Sequence, residues 1–207
     1  EAIKGYWEEN GNMIIAGIVL GFAGFIGFNL YKDGKLENEL AISDSYQTLI
    51  ENSAKDKAAF SEDADKFIND NAGTSYVSLT ALALAKEAAS KQDWASVQTQ
   101  LTTAIENAPS EGIKGIASLR LARVQVQQKQ YEQALATLAK PLPESFTAAV
   151  EEIKGDTYLL QDKKELARSA YQAAIAAEGL ASSPGLQMKL DDLATAVDLT
   201  TIVPVAQ

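Results

Sequence analysis

From Asn10 to Tyr31 the chain carries no charged side chain, and no other feature constrains the fold as much as this run. As a helix, its twenty-two residues rise about 33 Å at ~1.5 Å each, close to the thickness of a bilayer's hydrocarbon core. A buried helix of a soluble domain seldom lacks charge on every face over such a length. A secretory signal has a basic start, a shorter apolar stretch and a small-residue cleavage site. Here Glu1, Glu8 and Glu9 outnumber Lys4, and Lys32, Asp33, Gly34 and Lys35 follow Tyr31. The run therefore reads as an uncleaved single-pass anchor over residues 12–31 behind a juxtamembrane segment, 1–11. Tyr6 and Trp7 on one side and Tyr31 on the other stand where interfacial aromatics settle. Lys4 before the span and Lys32 and Lys35 after it leave orientation undecided, because positive-inside sorting needs a larger bias.

Within the anchor, Gly17, Gly21 and Gly24 fall at i, i+4 and i+7, with Gly27 close beside them. Glycine costs a helix interior about 1 kcal/mol relative to alanine in water. Four on one side suit a face against which another membrane helix packs closely, the small-xxx-small arrangement. Frequent glycine in membrane helices is the plainer alternative.

The remainder is different in kind. It has neither Cys nor His, which removes thiolate nucleophiles, Ser-His triads and the usual zinc ligand sets. With Lys+Arg 18 against Asp+Glu 28, the net charge is -10. Without a basic stripe such a chain is a poor match for phosphates, so no nucleic-acid partner is expected. Adjacent acids such as Glu151-Glu152, Asp191-Asp192 and Glu62-Asp63 do not converge on one helix face and read as solvated. No Gly-rich phosphate loop and no calcium loop occurs. No enzyme activity, cofactor, metal or small-molecule substrate is expected; an unrecognised Ser-Lys hydrolase is the alternative that composition leaves open.

From about Leu36 the apolar spacing is helical throughout, broken at Asn71-Ala72-Gly73, Ala108-Pro109-Ser110, Pro141-Leu142-Pro143 and Ser182-Ser183-Pro184-Gly185. GDTYLLQDKKELARSAYQAAIA, residues 155–176, has Gly155, Tyr158, Ala167, Tyr171 and Ala174 in the order of a tetratricopeptide repeat. Thirty-three residues earlier, Ala122 and Ala134 stand in for Gly155 and Ala167, with Tyr131 and Leu138 following suit. Thirty-seven earlier again come Ala85 and Val97, with Trp94, Leu101, Ala104 and Pro109. Small residues let paired helices approach, and bulky ones fill the gap to the next pair. The expected architecture is all-α: one N-terminal transmembrane helix, then a solenoid of three to four hairpins. It comprises a linker and degenerate first pair over 32–72, repeats over 73–195 closed by a capping helix from about Gly185 to Thr195, and a loose tail, 196–207. A plain helical bundle is the competing reading.

In such stacks the first helix of each pair lines a concave face. By repeat position that face holds Leu79, Leu82 and Lys86, with Ala89; Ile116, Leu119, Arg123 and Val126; then Glu152, Asp156 and Leu159, with Ala149. Apolar residues among charges of both signs suit an extended or helical peptide.

The opening EAIKGYWEENG, the stretch LRLARVQVQQKQ at 119–130 and QMKLDDL at 187–193 resemble the ancillary SecYEG translocon subunits of gammaproteobacteria, the YfgM-like family. The likeness covers nearly the whole layout and departs from about Ala196 onward. It implies a type II inner-membrane protein with its repeat domain in the periplasm. It also implies partnership with the SecYEG translocon and a PpiD-like periplasmic chaperone, passage of exported client polypeptides to that chaperone network, and a link to envelope stress. The family brings no catalytic residues. The alternative is a membrane-tethered regulator that holds a signalling protein on the cytoplasmic side.

Overall fold

The computed structural model describes residues 2–55 and 57–195, and among them every regular element is helical. The expected tail, 196–207, lies outside the described residues, as do the side chains of residues 1–11 and so the interfacial placement of Tyr6 and Trp7. Two compact units divide at Asp56 and Lys57.

The first unit is one helix, α1, Ala2–Lys55. Its N-terminal part is long and apolar enough to cross a membrane, with none of that stretch buried. The linker expected after Tyr31 is no break: the helix runs through residues 32–55, where no proline interrupts it and Lys35 and Glu39 pair across one turn at 3.8 Å. What read as the first helix of a degenerate pair is thus the C-terminal part of α1.

The second unit is a stack of hairpins. Helix α2 (Lys57–Asp70) packs on α3 (Ser75–Ser90), which pairs with α4 (Trp94–Glu106). Helices α5 (Glu111–Gln127) and α6 (Tyr131–Leu138) form the next pair, and α7 (Thr147–Leu160) and α8 (Lys164–Ala176) the last. Helix α9 (Leu186–Thr195) closes the stack on α8. All four expected breaks fall between helices. The second compact unit takes in α2, ahead of residue 73, where the repeats were expected to begin.

Three hairpin turns share one backbone. Gln92, Lys129 and Asp162 are left-handed, at φ 59, 60 and 58°. The next amide donates five residues back, Asp93 to Ala88 O at 3.0 Å, Gln130 to Gln125 O at 2.8 Å and Lys163 to Tyr158 O at 2.9 Å. This is the Schellman closure, which satisfies carbonyls that the helix end orphans. Each new helix then starts at once. Asp93 caps α4 by accepting from Ser96 N at 3.1 Å, and Ser110 caps α5 through Ile113 N at 3.3 Å.

Between pairs the core is built from a series of apolar clusters. Leu101 and Val97 pack with Ala85 and Leu121; Leu138 packs with Leu119, Ala122, Val150 and Ile153; Tyr171 and Ala174 pack with Leu186 and Leu193 of α9. Apolar area removed from water contributes roughly 25 cal/mol per Å², so each interface stabilises its two neighbours mutually. Two buried polar ties fix hairpin geometry: Ser78 donates to Ala104 O, and Thr137 to Gln125 Oε1, each at 2.8 Å.

Candidate functional site

The first helices of the pairs, α3, α5 and α7, present the residues that the repeat pattern assigned to an open face, and that face has two unlike halves. At the N-terminal half a cleft of about 340 Å³ opens between α3 and α5 over α4. Helix α5 packs directly on α7, whereas α3 and α5 have no comparable contact, and the gap is floored by Val97 and Leu101 of α4. Leu82, Lys86 and Ala89 line it from α3 and Arg123 from α5. Leu79 and Leu82 are half-buried, Lys86 and Arg123 exposed, and Ile116 is 40% exposed one turn from the cleft.

On α5 the assignment of Leu119 is corrected. Leu119 is 7% exposed, buried between Leu138, Val150 and Ile153. The open side of α5 runs instead through Ile116, Arg120 and Arg123, at i, i+4 and i+7. Leu119 lies about 100° round the helix from that line, on a side it shares with the buried Gly115 and Ala122. Arg120, which the sequence reading passed over, is therefore a cleft residue. The signal for it lay in this spacing: from Ile116 and Arg123, a helical face passes through 120 as readily as through 119. Val126 is half-buried and packs on the same core cluster as Leu119.

The C-terminal half is occupied from within. Lys189 of α9 donates to Glu152 Oε1 at 2.9 Å and to Asp156 Oδ1 and Oδ2 at 2.7 and 2.9 Å. Ser183 Oγ donates to Glu152 Oε1, and the Tyr171 hydroxyl to Asp156 Oδ1, each at 2.8 Å. The Lys189 ammonium also stands 5.8 Å from the centroid of the Tyr171 ring, within range of a cation–π attraction. Arg168 adds a bond to Leu193 O at 2.9 Å. Glu152 and Asp156, expected to face a partner, are thus bound to the capping helix. Leu159 remains 39% exposed beyond them.

Burial disfavours the charge on Glu152, but the bonds from Lys189 and Ser183 outweigh it and hold the carboxyl below its usual range. Burial likewise lowers Lys189, and its bonds to Asp156 and Glu152 outweigh that and raise it. Burial first, and then the Asp156 carboxylate, push the Tyr171 phenol far above its ordinary value. Glu152, Lys189 and Tyr171 are each held in the protonation state that these bonds use, so the group acts as a clasp between α7, α8 and α9.

In α1 the glycine face meets no neighbour among the described residues: a Cβ at Gly17, Gly21, Gly24 or Gly27 would find nothing within 4 Å. Phe22, Phe25 and Ile26, among the same turns, are 65, 63 and 55% exposed.

The family model described as a tetratricopeptide repeat-like domain matches residues 4–195. A protein of Escherichia coli (strain K12) described as "Ancillary SecYEG translocon subunit" is 32% identical over 194 residues, 93% of this chain and 94% of that one. Proteins so described from Haemophilus influenzae and Aggregatibacter actinomycetemcomitans are 30% and 31% identical, covering 92% and 93% of this chain and 94% of each relative. No solved structure matches the chain.

Proposed function

Because the chain belongs to the tetratricopeptide repeat-like family and, with it, to the ancillary SecYEG translocon subunits, we propose that it works as a non-enzymatic, membrane-anchored scaffold beside the SecYEG channel. Helix α1 is the anchor, its glycine face the packing surface for a membrane partner. The hairpin stack stands on the periplasmic side and recruits a PpiD-like chaperone to polypeptides leaving the channel. The carrying observation is that the likeness to relatives of that name runs through the span-length helix and the repeats alike, over 93% of the chain. The groups around the open face support adhesion over chemistry: its acids are clasped by Lys189, and its cleft is apolar with a cationic rim.

The chain has no cysteine, so one engineered thiol reports its side of the membrane without background. Gln172 is exposed on α8 and serves the purpose. An impermeant maleimide is expected to label Gln172→Cys in intact spheroplasts, and a photo-crosslinker at Gly24 is expected to capture a channel subunit. Protection of the thiol until lysis would place the stack in the cytoplasm and favour a regulator of a signalling protein there.

A further inference from the structure

The rim of the cleft between α3 and α5 carries Lys86, Arg120 and Arg123. Among the described residues none of the three has an ion-pair partner within 4.0 Å, in a chain whose acids outnumber its bases by 28 to 18. Among the described residues seven of the other cations do find such partners: Lys35, Lys91, Lys114, Lys154, Lys164, Arg168 and Lys189. Three uncompensated cations around one opening repel one another, and the local field favours an incoming anion. Glu152 of α7 feels the charge of Arg123 without an ion pair between them and is bonded instead to Lys189.

Beneath that rim the cleft is apolar, floored by Leu82, Ala85, Val97, Leu101 and Val124. Its ≈340 Å³ suits one or two large apolar side chains and excludes a folded domain. We propose that this cleft docks an acidic peptide segment, with one Leu or Phe side chain seated on the α4 floor and flanking Asp or Glu carboxylates paired with Lys86, Arg120 and Arg123. Guanidinium forks match carboxylates two bonds at a time, which fits two arginines to this task. The division of the face supplies the selectivity: the acidic half is neutralised by α9, and the basic half keeps its charges for a partner. This rests on the reading that the repeat stack recruits other polypeptides, and it specifies where and by what chemistry.

The test uses the full chain in detergent micelles and fluorescent peptides of about twelve residues, a length an extended groove ligand spans. One carries acidic residues around a central Leu; a second has Gln and Asn in their place; a third has Lys. The acidic peptide should bind at least about tenfold more tightly than either other one, and more weakly as salt rises from about 50 to about 300 mM. Lys86→Ala with Arg120→Gln and Arg123→Gln should abolish that preference while the helical circular dichroism is unchanged. Ala89→Phe, which fills the cleft and leaves the cations in place, should weaken binding as well. Equal affinity for the three peptides overturns the proposal, as does a rim triple variant that binds the acidic peptide as before. So does binding to phosphatidylglycerol vesicles that these substitutions abolish while peptide binding is untouched, for the cations then serve a lipid surface. Channel crosslinking from Gly24 separates the two readings: its persistence without peptide preference removes only this one, and its loss with preference intact removes only the scaffold at the translocon.

Discussion

The ring of Tyr171 lies where a Cβ on Gly155 would have to go, and its hydroxyl donates to Asp156, the next residue along α7, at 2.8 Å. One side chain thus sets the approach of α7 to α8, closes the core on Leu186 of α9, and orients a carboxylate toward Lys189. A buried aromatic against a bare backbone has no slack, because protein interiors are packed as densely as organic crystals.

Gly155→Ala should therefore destabilise the stack by about 1–3 kcal/mol, the usual cost of overpacking. Gly112→Ala provides the contrast. It sits in the first turn of α5 with its nearest neighbour, Ser110 Oγ, 3.8 Å from the added methyl. There alanine should be neutral or stabilise by up to about 1 kcal/mol, through helix propensity. Thermal unfolding of the two variants side by side decides it; equal midpoints would mean that Tyr171 moves aside freely.

The clasp on α9 should depend on pH at both extremes. Glu152 is lowered from 4.5, so its contribution is complete above that value and is lost as pH falls through the folded pKa beneath it. Lys189 is raised from 10.5, so its contribution is complete below that value and is lost as pH rises through the folded pKa above it. Amide signals of α9 should stay fixed between these limits and loosen outside them. Lys189→Met should loosen α9 at neutral pH, since it strands two carboxylates. A Lys189→Met protein whose α9 amides exchange no faster than the parent's would show that apolar packing alone holds the cap.

Gln92, Lys129 and Asp162 occupy left-handed turns that glycine adopts at no steric cost. Replacing any one by Gly should raise stability by up to about 1 kcal/mol, whereas Gln92→Val should lower it by about 1 kcal/mol or more because β-branching resists positive φ. Denaturant midpoints for the four variants test this, and opposite signs at equivalent turns would undo the claim that the three hairpins share one closure.

In the anchor, Gly21→Leu should abolish crosslinking from Gly24 to a membrane partner, while Phe22→Ala should leave it intact. A leucine on the bare face holds the partner backbone away, and a lost phenyl on another face does not. Unchanged crosslinking in both would show the glycines to be composition rather than contact.

Much of this was legible because it is local. The uncharged run, the helix breaks and the spacing of Ala85, Ala122 and Gly155 depend on residues a turn or two apart, where side-chain size and backbone preference act directly. The repeat pattern put Tyr171 in the gap to the next pair, where it meets Leu186, but gave no sign that its ring would press on Gly155 of its own hairpin. Less visible was the fate of 32–55, read as a linker and the first helix of a degenerate pair, whereas helix propagation carries on unbroken from the apolar segment, each further bond costing one residue's freedom.

The chain's order of residues by itself determined a span-length helix, a series of hairpins and their turns, because those follow from hydrophobic period and helix-end chemistry. Only the tertiary structure decided that α5 turns Arg120 outward and Leu119 inward. The same holds for Lys189, which reaches Glu152 and Asp156 across more than thirty residues of chain. The reason is that a helix has a continuum of faces a few tens of degrees apart, and which one meets solvent is settled by the neighbours stacked against it.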